Sequence, residues 1–204
     1  MMFEKIRKTL PVRILGDPVL AQKAKPVVKI DEELMELGEK MIQTMYKNNG
    51  VGLAAPQVGV SLRMFALHVY PPEDEDGNPL PVNSPGEKEL LPKMPLVFVN
   101  PEIISRSEEK DTHEEGCLSI PGLWAPVTRS STVVFKAQIL GGKEITLECG
   151  GLLARAIQHE YDHLDGIVYV QRLTEEDFSD IRRDMEKIVK KSGKRNFKIK
   201  RVAS

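Results

Sequence analysis

The chain has little cysteine, almost no net charge and no long apolar run, and each shortage excludes something. Two cysteines in 204 residues, Cys117 and Cys149, are too few for a disulfide scaffold. Each is therefore a small packing residue or a reactive or ligating one. Lys plus Arg number 29 against 30 for Asp plus Glu, and a net charge of -1 leaves no general attraction for DNA or an anionic membrane surface. The opening MMFEKIRKTLPVRIL holds no apolar run of signal-peptide length. No segment approaches the roughly 20 consecutive apolar residues of a membrane span, so a cytoplasmic protein without a membrane partner is expected. Internal repeats are absent. What is present is 41% hydrophobic content, enough in a chain of this length for one full core, so one domain with a tail is expected.

Three segments have helical periodicity. Leu34, Leu37, Met41, Ile42 and Met45 fall on one stripe over 31–46, with Asp31 as N-cap and Asn48, Asn49 and Gly50 as the stop. Leu152, Leu153, Ala156, Ile157 and Leu164 mark a second helix over 151–164, ended by Asp165 and Gly166. Thr174 opens a third, whose Phe178, Ile181, Met185, Ile188 and Val189 form a stripe facing the domain. Residues 62–70, 96–99, 131–139 and 143–148 are short β-branched or aromatic runs bounded by Gly, Pro and Asn, which predicts strands. Between the first two of these, residues 71–93 are rich in Pro, Gly and acids and predict an exposed insertion loop. GVGLAAPQVG at 50–59 is too rich in small residues to fill a core; it is backbone kept thin so that something can approach. The class is α+β: a single domain of short antiparallel strands around a central helix, with a C-terminal helix.

HEYDH occupies 159–163 on that central helix. Four residues make slightly more than one turn, so His159 and His163 share a face and can present two imidazoles to one ion. Glu160 points about 100° away, within reach of a water held there. The same five residues can also be the polar side of an ordinary helix. A catalytic site of this kind takes three protein ligands and leaves a position for water, and the chain offers three possibilities for the third. Tyr169 stands where the extended HExxHxxGxxH pattern has a histidine, which disfavours that clan of peptidases. Glu175 or Glu176 could serve as in other zinc endopeptidases, but behind a Thr174 cap acids already have an electrostatic reason to be there. Cys117, in EEGCLSIPG, can ligate or can merely pack.

Taken together and in order, GVGLAAPQ at 50–57, EEGCLSIPG at 114–122 and QHEYDHLDG at 158–166 closely resemble the three motifs of the peptide deformylases. The pattern of strands and helices from about Arg13 to Leu173 fits the same family. The resemblance implies that Cys117, His159 and His163 are the metal ligands and Glu160 the general acid/base. It makes Gln57 and the backbone N–H of Leu118 the oxyanion donors, with Val51, Gly52 and Leu118 around the methionine side chain. It implies one divalent ion per chain, Fe²⁺ natively, with Zn²⁺, Ni²⁺ or Co²⁺ also accepted. The substrate it implies is the N-formylmethionyl end of a nascent peptide, and the products are formate and a free methionine amine.

Chemistry agrees with that ligand set, since a thiolate and two imidazoles suit Zn²⁺, Fe²⁺ or Co²⁺ and disfavour Mg²⁺ or Ca²⁺. The catalytic domain is expected over 1–189, with the 71–93 insertion. A basic tail over 190–204 belongs to a run from Lys187 to Ser204 with eight Lys and Arg and no acid, a candidate for binding ribosomal RNA through its phosphates. The rivals are a zinc endopeptidase and a catalytically dead binding module. Four further residues have plainer roles. His68 is expected to be half-buried, His113 solvated, Cys149 packed and Trp124, the only tryptophan, a core residue. Asp162 either orients a ligand or caps polar surface.

Overall fold

The computed structural model describes residues 9–193 and residue 202. Five antiparallel strands form its main sheet in the order β1, β2, β3, β6, β7: β1 is Gly52–Ala54, β2 Met64–Leu67, β3 Leu96–Arg106, β6 Val133–Ile139 and β7 Glu144–Cys149. Helices cover both faces, and the period-2 alternation of the strands decides which residue meets which helix. From β2 and β3, Met64, Ala66, Val97 and Val99 point toward α1 (Glu32–Lys47) and join its Leu34, Met41 and Met45. Phe65, Leu67 and Phe98 point the other way, meet Phe135 of β6, and form the bed for Leu153, Ala154, Ile157 and Leu164 of α3 (Gly151–Leu164). The Phe65, Phe98 and Phe135 rings lie 5.2 to 6.1 Å apart between centroids, tilted or edge-on. Asp31 caps α1 by accepting from the Leu34 N–H at 3.2 Å, as its position predicts.

The second sheet is a hairpin of β4 (Lys110–Cys117) and β5 (Ile120–Ser130), which no run of apolar residues announces. KDTHEEGC reads as polar loop because one face of β4 is left to solvent and the other carries charge into the interior. Helix α4 (Glu175–Lys191) packs on this hairpin through Met185, which is buried with Leu15, Ile120, Val127 and Tyr169, and through the half-buried Phe178, Ile181, Ile188 and Val189. Its cap is Thr174, accepting from the Asp177 N–H at 3.1 Å.

Three expectations need correction. Strand β2 is shorter than 62–70, while β3 continues from 96–99 to Arg106 through irregular pairing with β6. The 71–93 segment is not all loop: α2 (Pro85–Leu90) and a 3-10 turn over Leu91–Lys93 occupy its second half. Ser84 and Glu87 form a capping box with Pro85 at the first helical position, a signal that was present in the sequence but too short to show a period. Trp124 is 62% exposed and packs its ring on Gly116 instead of entering a core. The basic run belongs to α4 as far as Lys191. Its remaining members, Lys194, Arg195, Lys198, Lys200 and Arg201, lie outside the described residues. No described helix is long and apolar enough to cross a membrane.

Candidate active site

α3 runs past the end of β4, and the site lies where they meet. His159 and His163 stack on one side of the helix with ring centroids 5.2 Å apart. Cys117 ends β4 at a break in register with β5, which turns its side chain toward them: Sγ is 3.3 Å from His163 Nε2. One ligating atom from each of Cys117, His159 and His163 lies within 4.8 Å of the other two, and no other such group occurs among the described residues. Glu175 and Glu176 are exposed in the first turn of α4 and are not in the cluster. Tyr169 is buried beside the site. It stacks on His159 at 6.2 Å and donates its hydroxyl to the Leu123 carbonyl at 2.9 Å, so it is a wall and not a ligand.

Behind the cluster stands a chain of buried charge. His159 Nδ1 is 2.8 Å from Glu115 Oε2, which leaves Nε2 for the cluster and sets the ring's orientation. Glu115 accepts from Arg129 Nε at 2.6 Å and Nη2 at 2.8 Å, and from Arg155 Nη1 at 2.8 Å. Arg129 also donates to Asp162 at 2.8 Å, and Arg172 closes the network with two bonds to Asp162 at 2.6 Å. Burial by itself would raise the Glu115 carboxyl; hydrogen bonds from Arg129 and His159 outweigh it and hold the group well below the usual carboxylate range. Asp162 is likewise held low, its burial outweighed by Arg172 and Arg129. Asp162 is buried and so does not cap surface; it secures Arg129, and through Arg129 and Glu115 it bears on the orientation of His159. Arg155, one turn before His159 on the same helical face, is the member of this network with a local signal in the sequence; nothing local joins Glu115 to Arg129.

Burial also opposes ionisation of Cys117, but the charge on His163 and hydrogen bonding to both histidines draw its thiol down to about 5. Glu160 shows the opposite balance. Burial pushes its carboxyl up to about 7 against the attraction of His159 and His163, and its Oε2 is a buried oxygen without a hydrogen-bond partner in the protein. A Cβ at residue 52 would collide with that carboxylate, so the thin backbone of 50–59 makes room for Glu160. In the same loop Gln57 is 1% exposed. Its Oε1 accepts from the Ala54 N–H at 2.7 Å, and its Nε2 faces Cys117 Sγ and Ser119 Oγ, each at 3.3 Å. One end of the amide is anchored and the donor end is aimed at the cluster.

A cavity of about 490 Å³ opens onto the group, lined by Val51, Gly52, Gln57, Leu118, His159 and Glu160 among others, with Trp124 and Leu152 toward its rim. The residues that the three sequence motifs nominated, Val51, Gly52, Gln57, Cys117, Leu118, His159, Glu160 and His163, are therefore brought to one place. His68 is half-buried, His113 exposed and Cys149 buried, each away from the site as expected.

The donor set fits a soft divalent ion: a thiol drawn toward thiolate, two imidazoles, and an orphaned carboxylate oxygen beside them. Known proteins point the same way. Residues 9–179 match the family model for polypeptide deformylase. The peptide deformylase of Dictyoglomus thermophilum is 47% identical over 165 residues, covering 81% of this chain and 93% of that protein. That of Pseudothermotoga lettingae is 39% identical over 186 residues, covering 91% and 95%. Among solved structures, the peptide deformylase of Legionella pneumophila superposes with a TM-score of 0.72 at 36% identity over 93% of this chain and all of that one. A plant peptide deformylase gives 0.75 at 34% identity over 94% and 93%. The chain belongs to the polypeptide deformylase family.

Proposed function

We propose that Cys117, His159 and His163 hold one divalent metal ion and that Glu160, Gln57 and the Leu118 N–H use it to remove the formyl group from the N-terminal methionine of newly made proteins. The family is one of metal-dependent hydrolases, and the single observation that carries the residue assignment is the meeting of Cys117, His159 and His163 beside the unpartnered Glu160 carboxylate. When bound, the ion supplies Lewis acidity and brings a water's pKa toward neutrality. Glu160, whose carboxyl is pushed up to about 7, would take the proton of the water that attacks the formyl carbon. Gln57 Nε2 and the Leu118 N–H donate to the oxygen on which charge develops. Glu160 then gives its proton to the leaving amine, and formate departs. Val51, Gly52 and Leu118 contact the methionine side chain from the cavity wall.

Fe²⁺ is the native ion in this proposal, with Zn²⁺, Ni²⁺ and Co²⁺ as substitutes the same ligands accept. Residues 1–189 are the catalytic unit and 190–204 a basic tail that holds the enzyme on the ribosome, where its substrate emerges in the cytoplasm. Anaerobic purification, metal analysis and a formate-release assay on a formyl-methionyl tripeptide test the whole assignment. One equivalent of metal and formate release abolished by chelator are expected. Cleavage of an unformylated peptide instead would return the chain to the zinc endopeptidases.

A further inference from the structure

Helix α3 carries the metal-binding histidines but starts without a cap of its own. Gly150 stands at the N-cap position and has no side chain to accept from the first turn, and Gly151 follows with φ of +55°, open to few other residues. The 71–93 segment meets this end at the Gly150 N–H, one of the four that the helix itself leaves unpaired. Ser84 Oγ accepts from the Gly150 N–H at 3.0 Å and from the Glu87 N–H at 3.2 Å, and donates to Glu87 Oε2 at 2.7 Å, so one buried hydroxyl ties α2 to the start of α3. The Glu87 carboxylate lies against Gly151, within 2.9 Å of where a Cβ would stand, which places negative charge at the positive end of the helix dipole. Gly86 closes the joint on the other side, since any Cβ there would meet Cys149 Sγ and the Glu148 carbonyl.

The turn fixed in this way reaches the substrate. Leu152, Arg155 and Ala156 line the catalytic cavity, and Arg155 also holds Glu115, the partner of His159. Leu152 further separates the catalytic cavity from a second one of about 610 Å³, which Ser84 and Glu87 line. We propose that α2 is a clamp for the catalytic helix: Ser84 and Glu87 are positioning residues that hold the start of α3, Ser84 by accepting from the Gly150 N–H and Glu87 by its charge beside Gly151, and so keep Leu152 and Arg155 as the wall of the substrate cavity. The proposal rests on the deformylase function above.

The test compares Ser84→Ala, Glu87→Gln and Ser84→Thr with the wild type in the full, metal-loaded chain. Loss of the clamp is expected to speed amide exchange across residues 150–156 by about tenfold while α1 and α4 keep their protection. KM for a formyl-methionyl tripeptide should rise about threefold or more in Ser84→Ala and Glu87→Gln, with kcat and bound metal held within about twofold. Ser84→Thr keeps the hydroxyl and should match the wild type in both readouts. A lowered Tm with unchanged KM and unchanged exchange at 150–156 would overturn the clamp and leave α2 as ordinary packing. Should Ser84→Ala fail to fold, Glu87→Gln, equal in size but without the charge and with one acceptor oxygen fewer, decides between the same two results. Absence of formate release by the wild type would sink the deformylase function, and the exchange data would still judge the clamp.

Discussion

Gln57 shows how much one residue's chemistry depends on what holds it. A glutamine in a loop of small residues reads from the sequence only as a possible donor; the structure adds that Oε1 is tied to the Ala54 N–H, so the amide cannot turn and Nε2 must face the cluster. Gln57→Ala is expected to cost on the order of 10²-fold in kcat with little change in KM, the mark of a lost oxyanion donor. Steady-state kinetics on a formyl-methionyl peptide separate this from a loss confined to KM, which would make Gln57 a substrate-binding residue. His159, Glu160 and His163 were legible because their spacing on a helix is itself the signal, whereas Cys117 was legible only by its motif beside the other two. Glu115 and Arg129 were not, because their meeting depends on a hairpin with few apolar residues, and no local pattern joins positions on its two strands. Trp124 misled for the opposite reason: a lone large aromatic belongs in a core by its hydrophobicity, but here its ring covers Gly116 at the cavity rim.

Elements were legible in proportion to the length of their period. α1, α3 and α4 each show three or more turns of apolar spacing and a plausible end signal, and each forms where expected. α2, with six residues, is below that length and is announced only by its capping box. β4 has charge where a strand facing a core would carry valine or isoleucine, because what it buries is the ion-pair network that joins β4, β5 and α3. That joint can be measured. Arg129→Leu leaves Glu115 and Asp162 buried with less compensation, and is expected to lower stability by about 3–5 kcal/mol. It should also weaken metal binding by about 10- to 100-fold, since the orientation of His159 depends on Glu115. Urea unfolding and metal competition check the two figures; a variant as stable as the wild type would show that the network is dispensable to the fold.

At the scale of the whole molecule, one sheet between α1 and α3 and one hairpin under α4 bring three separate segments, 50–57, 114–122 and 158–166, to a single cavity. The α+β class was readable, since the strand runs cluster between the helix at 31–46 and the helices after 150, but the division into two sheets was not, because strand partners are set by tertiary packing. Termination near Val189, which removes Lys190, Lys191 and the basic residues beyond, is expected to leave activity on a short formyl peptide unchanged. It should abolish salt-sensitive cosedimentation with ribosomes; equal binding with and without the tail would reduce it to surface charge. The central claim is that this fold exists to place Glu160 beside a metal held by Cys117, His159 and His163, and Glu160→Gln addresses it most directly. Formate release from a formyl-methionyl peptide is measured for wild type and variant at matched metal content. The account predicts equal metal and a rate lower by about 10²- to 10⁴-fold in the variant; a Glu160→Gln protein that releases formate at nearly the wild-type rate would contradict it.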